Sequence, residues 1–398
     1  MELRVKPEAP KLAAPAAPSL HAFLELAFRP LYLAGTAWAL IAIGIWIFAP
    51  QVPGGTLQGV AWHAHEMLWG FVATIAVGFL MTAGANWTGI NPLQRGALAV
   101  ACALWLVARV GFLASGNALF WIAMAAELGF FLLAGAGMLR AVVRSRNARN
   151  YAVPWLLVGL GAADALYLLA AQGGDDALLM PRFNAGLLVM ALIALLVARR
   201  VIPFFAMRAV AGLKIPLHTR SGQVQLAACA AGVVLLLAGL QLPAAFALAL
   251  AGTLSLLQVL AWKPLAVRRH PLLWILYAGY TGLGVGLLLA ACAAAGVDMP
   301  RALPVHVIAM AGFSVLIIGM VTRTALGHLG RPLAADRSML ASYVLMLLAV
   351  ALRLAALAPW ASTSTSSLLS LQLSAAAWIA ALALYLWRFT PLMIRPRP

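Results

Sequence analysis

The sequence predicts an all-α fold: a polytopic membrane helix bundle of about twelve transmembrane helices, with both termini cytoplasmic. Three observations predict it. Of 398 residues, 64% are hydrophobic and only 9% are charged, with a mean hydropathy of +0.98, whereas a water-soluble chain carries roughly 25% charged residues. Apolar runs of about 20 residues, the length needed to span a bilayer core, recur along almost the whole chain. Lys and Arg gather in alternate segments between those runs, the pattern of an orientation signal. Together these exclude a soluble enzyme, and they assign the net charge of +17 to topology rather than to nucleic-acid binding.

Taken in order, residues 1–27 include the Ala- and Pro-rich stretch EAPKLAAPAAPS and lack a basic-then-apolar stretch with a cleavage site, which predicts a disordered cytoplasmic leader. A twelve-helix domain over 28–390 follows. Its helices are bounded by Pro, Gly and charge. The first, near 30–49, opens on FRP, and the second, near 59–83, carries WHAHEMLWG. The third and fourth, near 93–113 and 117–140, break at a Ser-Gly pair, and the fourth ends at the basic cluster RAVVRSRNAR. The fifth, near 150–172, stops at GGDD; the sixth, near 182–204, lies between Pro181 and the end of ARRVIPFF. The seventh to tenth fall near 223–241, 243–262, 270–296 and 302–326, and the last two near 338–358 and 366–390. Residues 391–398 form a short basic cytoplasmic tail. With the N-terminus inside, 23 of the 27 Lys and Arg fall on one side. Arg109, Arg182, Arg301 and Arg353 are the other four, and the outer loops hold Asp175, Asp176 and Asp298. Cys102, Cys229 and Cys292 have neither CxxC nor CxxCH spacing and read as small core fillers.

Ionisable residues inside apolar spans are costly and mark function by default. The densest group is His63, His65 and Glu66, about a turn below the outer surface. At 100° per residue His63 and His65 point nearly opposite ways, while Glu66 and Met67 share the face of His63. That spacing suits two environments back to back rather than one mononuclear site. Imidazole ligates metals and haem iron; the alternative is interfacial histidines bonded to carbonyls in an aromatic belt. His306 lies at a similar depth and is the best third ligand, so His63, His65 and His306 are the candidate metal residues, with Met67 or Met310 within reach of a copper. His328 is 22 residues further along the same helix, about 33 Å away, and cannot share that metal. With Arg29, Arg199, Arg200 and Arg323 it falls at the cytoplasmic surface, either snorkelling to lipid phosphates or holding haem propionates or another anion. Glu127 and Asp164, with Glu66, are candidates for a proton path or for buried ion pairs with Arg109 and Arg353.

Five segments, FRPLYL at 28, WHAHEMLWGF at 62, GFLMTAGANWTG at 78, ARRVIPFF at 198 and His306 through MVTRTALGHLGR, resemble the NnrS family, in order and over nearly the whole chain. The resemblance implies a bacterial inner-membrane protein linked to the nitric oxide response, with bound b-type haem and copper. It implies functional roles for Arg29, His63, His65, Glu66, Asn86, Trp87, Arg199, Arg200, His306, Arg323 and His328. One departure is FRPLYL, where two aromatics often follow the Pro; Tyr32 keeps one ring. The leading expectation is a haem- and copper-associated protein protecting against nitrosative stress, with its metal centre near the periplasmic side and nitric oxide as ligand. A haem-copper nitric oxide reductase-like enzyme needs an unidentified membrane electron donor. A twelve-span transporter of a metal, haem or nitrogen oxide rests on the helix number and on buried charges that could line a route.

Overall fold

The computed structural model describes residues 17–358 and 365–397. Among these, twelve helices are long and apolar enough to cross a membrane, which bears out the expected bundle. We label them α1 (Phe28–Phe48), α2 (Gly59–Thr88), α3 (Arg95–Leu113), α4 (Asn117–Arg144), α5 (Ala148–Gly173), α6 (Asp176–Ala209), α7 (Thr219–Leu237), α8 (Gln241–Ala261), α9 (Pro271–Ala294), α10 (Ala302–His328), α11 (Arg337–Ala356) and α12 (Ser366–Met393).

Helix α1 packs on α2 and α2 on α4; from α3 onward successive helices pack on one another, and α12 returns against α1 to close the bundle. Inside the ring α2 touches α10, and α6 touches both. The most apolar window of α2 is 83% buried, against 33% for α7, α11 and α12. Polar side chains explain this placement: a helix carrying His63, His65 and Glu66 is costly against lipid and affordable only where protein groups answer them.

Both interior helices depart from α-geometry next to their histidines. Glu66–Ala73 of α2 and Val307–Ser314 of α10 are π-helical, and these two segments pack against each other. A hydroxyl at the end of each bonds the carbonyl five residues back: Thr74 Oγ1 donates to Trp69 O at 3.2 Å and Ser314 Oγ to Ala309 O at 3.0 Å. Trp105 of α3 braces the first, donating to Thr74 Oγ1 at 2.8 Å. Side chains thus satisfy backbone groups that the widened turn loosens.

Several boundaries differ from those read in the sequence. Helix α2 runs on to Thr88 because Gly89, at φ +71°, supplies the left-handed cap. Helix α6 continues through Pro181 and Pro203: each removes one i→i−4 bond, and the carbonyl freed by Pro181 belongs to Ala177 at the exposed end of the helix, where water can answer it, while Pro203 lies in a packed span, where neighbours can. Of the expected disordered leader, residues 1–16 lie outside the described residues, but 17–27 are packed. Leu20–Phe23 form a helical turn capped by Ser19, and the Leu24 and Glu25 carbonyls accept from Arg95 N at 2.7 Å and Asn91 Nδ2 at 2.8 Å. The basic tail is docked as well. Ser19 N donates to Ile394 O at 2.8 Å, and Arg29 Nη1 donates to the Met393 and Arg395 carbonyls at 2.7 and 2.5 Å. These carbonyls lie at the end of α12, where a buried guanidinium is a strong partner. Residues 17–27 and 394–397 therefore share one face of the bundle. Cys229 is buried as expected of a filler, whereas Cys102 is half-buried and Cys292 exposed.

Candidate functional site

Two polar layers occupy the half of the bundle farther from the docked ends. The outer one joins the interior helices. His63 lies one turn into α2 and His306 one turn into α10, both starting from the same face. The two rings are within electrostatic range of each other and of Arg353. The His63 ring stacks on Trp46 of α1, with centroids 4.8 Å apart and planes 9° apart, and its Nδ1 is buried without a partner. His306 Nδ1 bonds the Ala302 carbonyl at 2.8 Å; as a donor there it leaves the Nε2 lone pair free, the arrangement that orients metal-ligating imidazoles. Met67 and Met310 each follow their histidine by four residues and are half-buried.

The structure does not bring His65 to that pair. Its ring is fully buried between three carboxylates: Nδ1 lies 2.8 Å from Glu66 Oε1, while Nε2 lies 3.0 Å from Asp164 Oδ1 and 3.3 Å from Glu127 Oε2. Arg109 bridges Glu66 and Glu127 through its two terminal nitrogens. Trp38 Nε1 donates to Glu66 Oε2 at 2.5 Å. Helices α1 to α5 each contribute one of these groups, α2 two, and Trp69, Phe112 and Tyr167 wall the imidazole. Gly70 makes the approach feasible, because a Cβ there would stand 2.5 Å from Arg109 Nη1 and 2.7 Å from Glu66 Oε2. α-Helical spacing had put Glu66 on the face of His63. It turns instead to His65, Arg109 and Trp38, since a buried carboxylate follows its counter-charge and its donors.

Even with His65 as imidazolium, two cations leave one of three carboxylates unmatched in a low-dielectric interior. Asp164 Oδ2 is buried and has no partner, so the cluster has a place for one more positive charge. Ligand atoms of His65, Glu127 and Asp164 lie within 4.8 Å of one another, a spacing that suits a metal ion, although the Arg109 cation opposes a dication there.

The remaining predicted residues lie at the other face, where the docked ends are. Arg29 clasps the end of α12. The Arg323 guanidinium lies 4.0 Å from the centre of the Phe205 ring, and the His328 ring sits 5.4 Å from that of Phe28; these contacts join α1, α6 and α10. Arg200 Nη1 donates to Asn150 Oδ1 at 2.8 Å, and Arg199 is 8% exposed. Asn86 is exposed at the end of α2, and the Trp87 carbonyl accepts from Asn147 Nδ2 at 2.8 Å. Sequence reasoning missed Trp38 and Gly70, which no spacing singles out in a chain rich in both residue types. It also missed the two π segments.

A family model described as NnrS protein matches residues 22–397. No curated protein matches the chain.

Proposed function

Because the chain belongs to the NnrS family, and is thereby a nitric-oxide-associated, multi-pass membrane protein, we propose that it binds copper between His63 and His306 and protects a bacterial cell against nitrosative stress from the inner membrane. One observation carries the site: two half-buried imidazoles, on the two interior helices, each beside a π-helical segment and at the same depth. π-Segments inside α-helices recur at functional sites.

The donors suit copper. His63 offers a buried nitrogen without a partner, His306 a nitrogen set free by its bond to Ala302, and thioethers four residues on favour Cu(I). When bound, copper supplies a coordination position for nitric oxide, which reaches this depth through lipid. The chain's residues hold and orient the site: Trp46 fixes one ring by stacking, Ala302 fixes the tautomer of the other, and the contact between the π segments keeps the two helices together. Haem enters the proposal from the family alone. The apolar cavity of about 80 Å³ between Phe79, Ile193 and Phe313 is far below the roughly 300 Å³ of small-ligand sites, so it does not seat a haem. The basic loops orient the proposal in the membrane, with the docked ends cytoplasmic and the histidine pair periplasmic.

The test is copper and haem content, with reduced-minus-oxidised spectra, of the detergent-purified chain and its His63→Ala, His306→Ala and His328→Ala variants. The expected result is stoichiometric copper in the wild type and in His328→Ala, lost in the other two. A folded wild type without copper, or copper indifferent to His63 and His306, overturns the site.

A further inference from the structure

At the opposite end of the spans from the histidine pair, a cavity of about 400 Å³ is lined by Arg149, Arg199, Arg200, Leu217, Thr219 and Gln223. We propose that it is a binding site for a phosphate-bearing anion at the membrane surface, distinct from the metal site.

Three guanidinium-bearing residues and no carboxylate line one cavity. Arg199 makes no hydrogen bond or ion pair with any described residue. Its Nε is buried without a partner while its residue is only 8% exposed. Snorkelling would carry this head group into water, but here it is held inward. Gly222 of α7 makes that position available, since a Cβ there would stand 2.5 Å from Arg199 Nη1. Arg200 is fixed by Asn150 Oδ1 at 2.8 Å and by the Arg149 carbonyl at 3.3 Å, so its geometry is set before a ligand arrives. Such preorganisation lowers the cost of binding.

The start of α7 forms another wall through Thr219 and Gln223. Its N-cap, His218, makes no side-chain cap bond, and its first turn holds no acidic residue. The free N–H groups and the positive end of the helix thus add to the same field. Three cations beside a helix N-terminus call for a multiply charged anion, and guanidinium forks match phosphate oxygens. The volume exceeds a bare phosphate and leaves room for a substituent. Leu217, 57% exposed at the rim, offers it an apolar edge.

A phosphate can come from a soluble metabolite or from a lipid headgroup, and two probes separate these sources. Inorganic pyrophosphate is titrated calorimetrically into the delipidated, detergent-purified full-length chain. Separately, the chain is placed in phosphatidylcholine nanodiscs doped with phosphatidylglycerol, and the phosphatidylglycerol retained on re-extraction is measured by native mass spectrometry. The variants are Arg149→Gln, which removes one exposed charge, and Gly222→Ala, which keeps every charge and displaces the Arg199 guanidinium. Arg331→Gln, exposed on the same face, is the control. Expected is binding of at least one probe, weakened about tenfold or more in both variants and unchanged in the control. Pyrophosphate binding assigns the site to soluble phosphates, and selective phosphatidylglycerol retention alone assigns it to lipid. Binding of neither probe, or binding that both variants leave intact, overturns the proposal.

Discussion

At the scale of single residues, Arg109 carries the most weight. It is fully buried, bridges Glu66 and Glu127, and faces a cluster that holds three carboxylates. Removing it leaves uncompensated negative charge in a low-dielectric interior, a loss of about 3–5 kcal/mol. Arg109→Gln is expected to lower the thermal unfolding midpoint in detergent sharply. Arg109→Lys is expected to fall between, because one ammonium does not reproduce the planar fork that reaches both carboxylates. Arg301→Gln, exposed beyond α9, is expected to leave the midpoint unchanged; equal midpoints for all three would remove Arg109 from the stability of the fold. These charges were legible in the sequence because ionisable groups are so rare in this chain that each one at membrane depth stands out. Their partners were partly legible. That Glu127 and Asp164 would pair with Arg109 and Arg353 was one of two readings that sign and depth left open, whereas Trp38, one of 13 tryptophans, and Gly70, one of 34 glycines, acquire meaning only when Glu66 lies beside them.

At the scale of elements, the helices were legible from hydropathy and their local winding was not. The π segments of α2 and α10 are accompanied by hydroxyl-to-carbonyl bonds, and in α2 by Trp105 as well, features that apolar periodicity does not carry. Partners decide side-chain direction as well: α-spacing aligned Glu66 with His63, and the buried Arg109 and Trp38 draw it to the His65 cluster. Caps are more readable, and α11 offers one that titrates. Asp336 stands before Arg337, accepts from Met339 N at 3.0 Å and Ser338 Oγ at 2.6 Å, and pairs with Arg388 Nε of α12 at 2.7 Å. Partial burial alone would raise its pKa, but the hydrogen bonds from Ser338, Arg388 and the Met339 amide, with the Arg388 charge, bring it down from 3.8 to about 2. A carboxylate whose folded pKa is lowered contributes stability above its unfolded value, and that contribution fades as pH falls through the folded one. The wild type is therefore expected to lose unfolding midpoint between about pH 4 and pH 2 through this group. Asp336→Asn should start lower at pH 7, by the loss of the ion pair and part of a cap worth about 0.5–2 kcal/mol, and should lose less over that acid range. Parallel acid profiles for the two proteins would show that the contact between α11 and α12 does not depend on this carboxylate.

At the scale of the whole molecule, the family match and the twelve spans agree with what composition and motif order implied. The sequence also implied that the histidines and the arginines lie in separate layers along the membrane normal, though not what surrounds them. Hydropathy ranks all twelve spans as apolar and cannot tell that α2 and α10 are interior; the cost of exposing His63, His65, Glu66 and His306 to lipid does. The bundle thus has a histidine and carboxylate end and an arginine end, with the packed residues 17–27 and 394–397 at the latter. The proposed orientation rests on charge. The loops at the arginine end hold nearly all the Lys and Arg, and short basic loops are retained inside. In a background with Cys102, Cys229 and Cys292 replaced, a membrane-impermeant maleimide is expected to label Ser115→Cys, exposed between α3 and α4, in intact cells. It is expected to label Ala148→Cys, exposed at the start of α5, only after permeabilisation. The reverse pattern would invert the molecule, placing the arginine cavity where periplasmic phosphates reach it and the histidine pair on the cytoplasmic side. Agreement puts the histidine pair on the side where nitric oxide from outside the cell first enters the membrane, and the arginine cavity where soluble phosphates and anionic lipid are most concentrated.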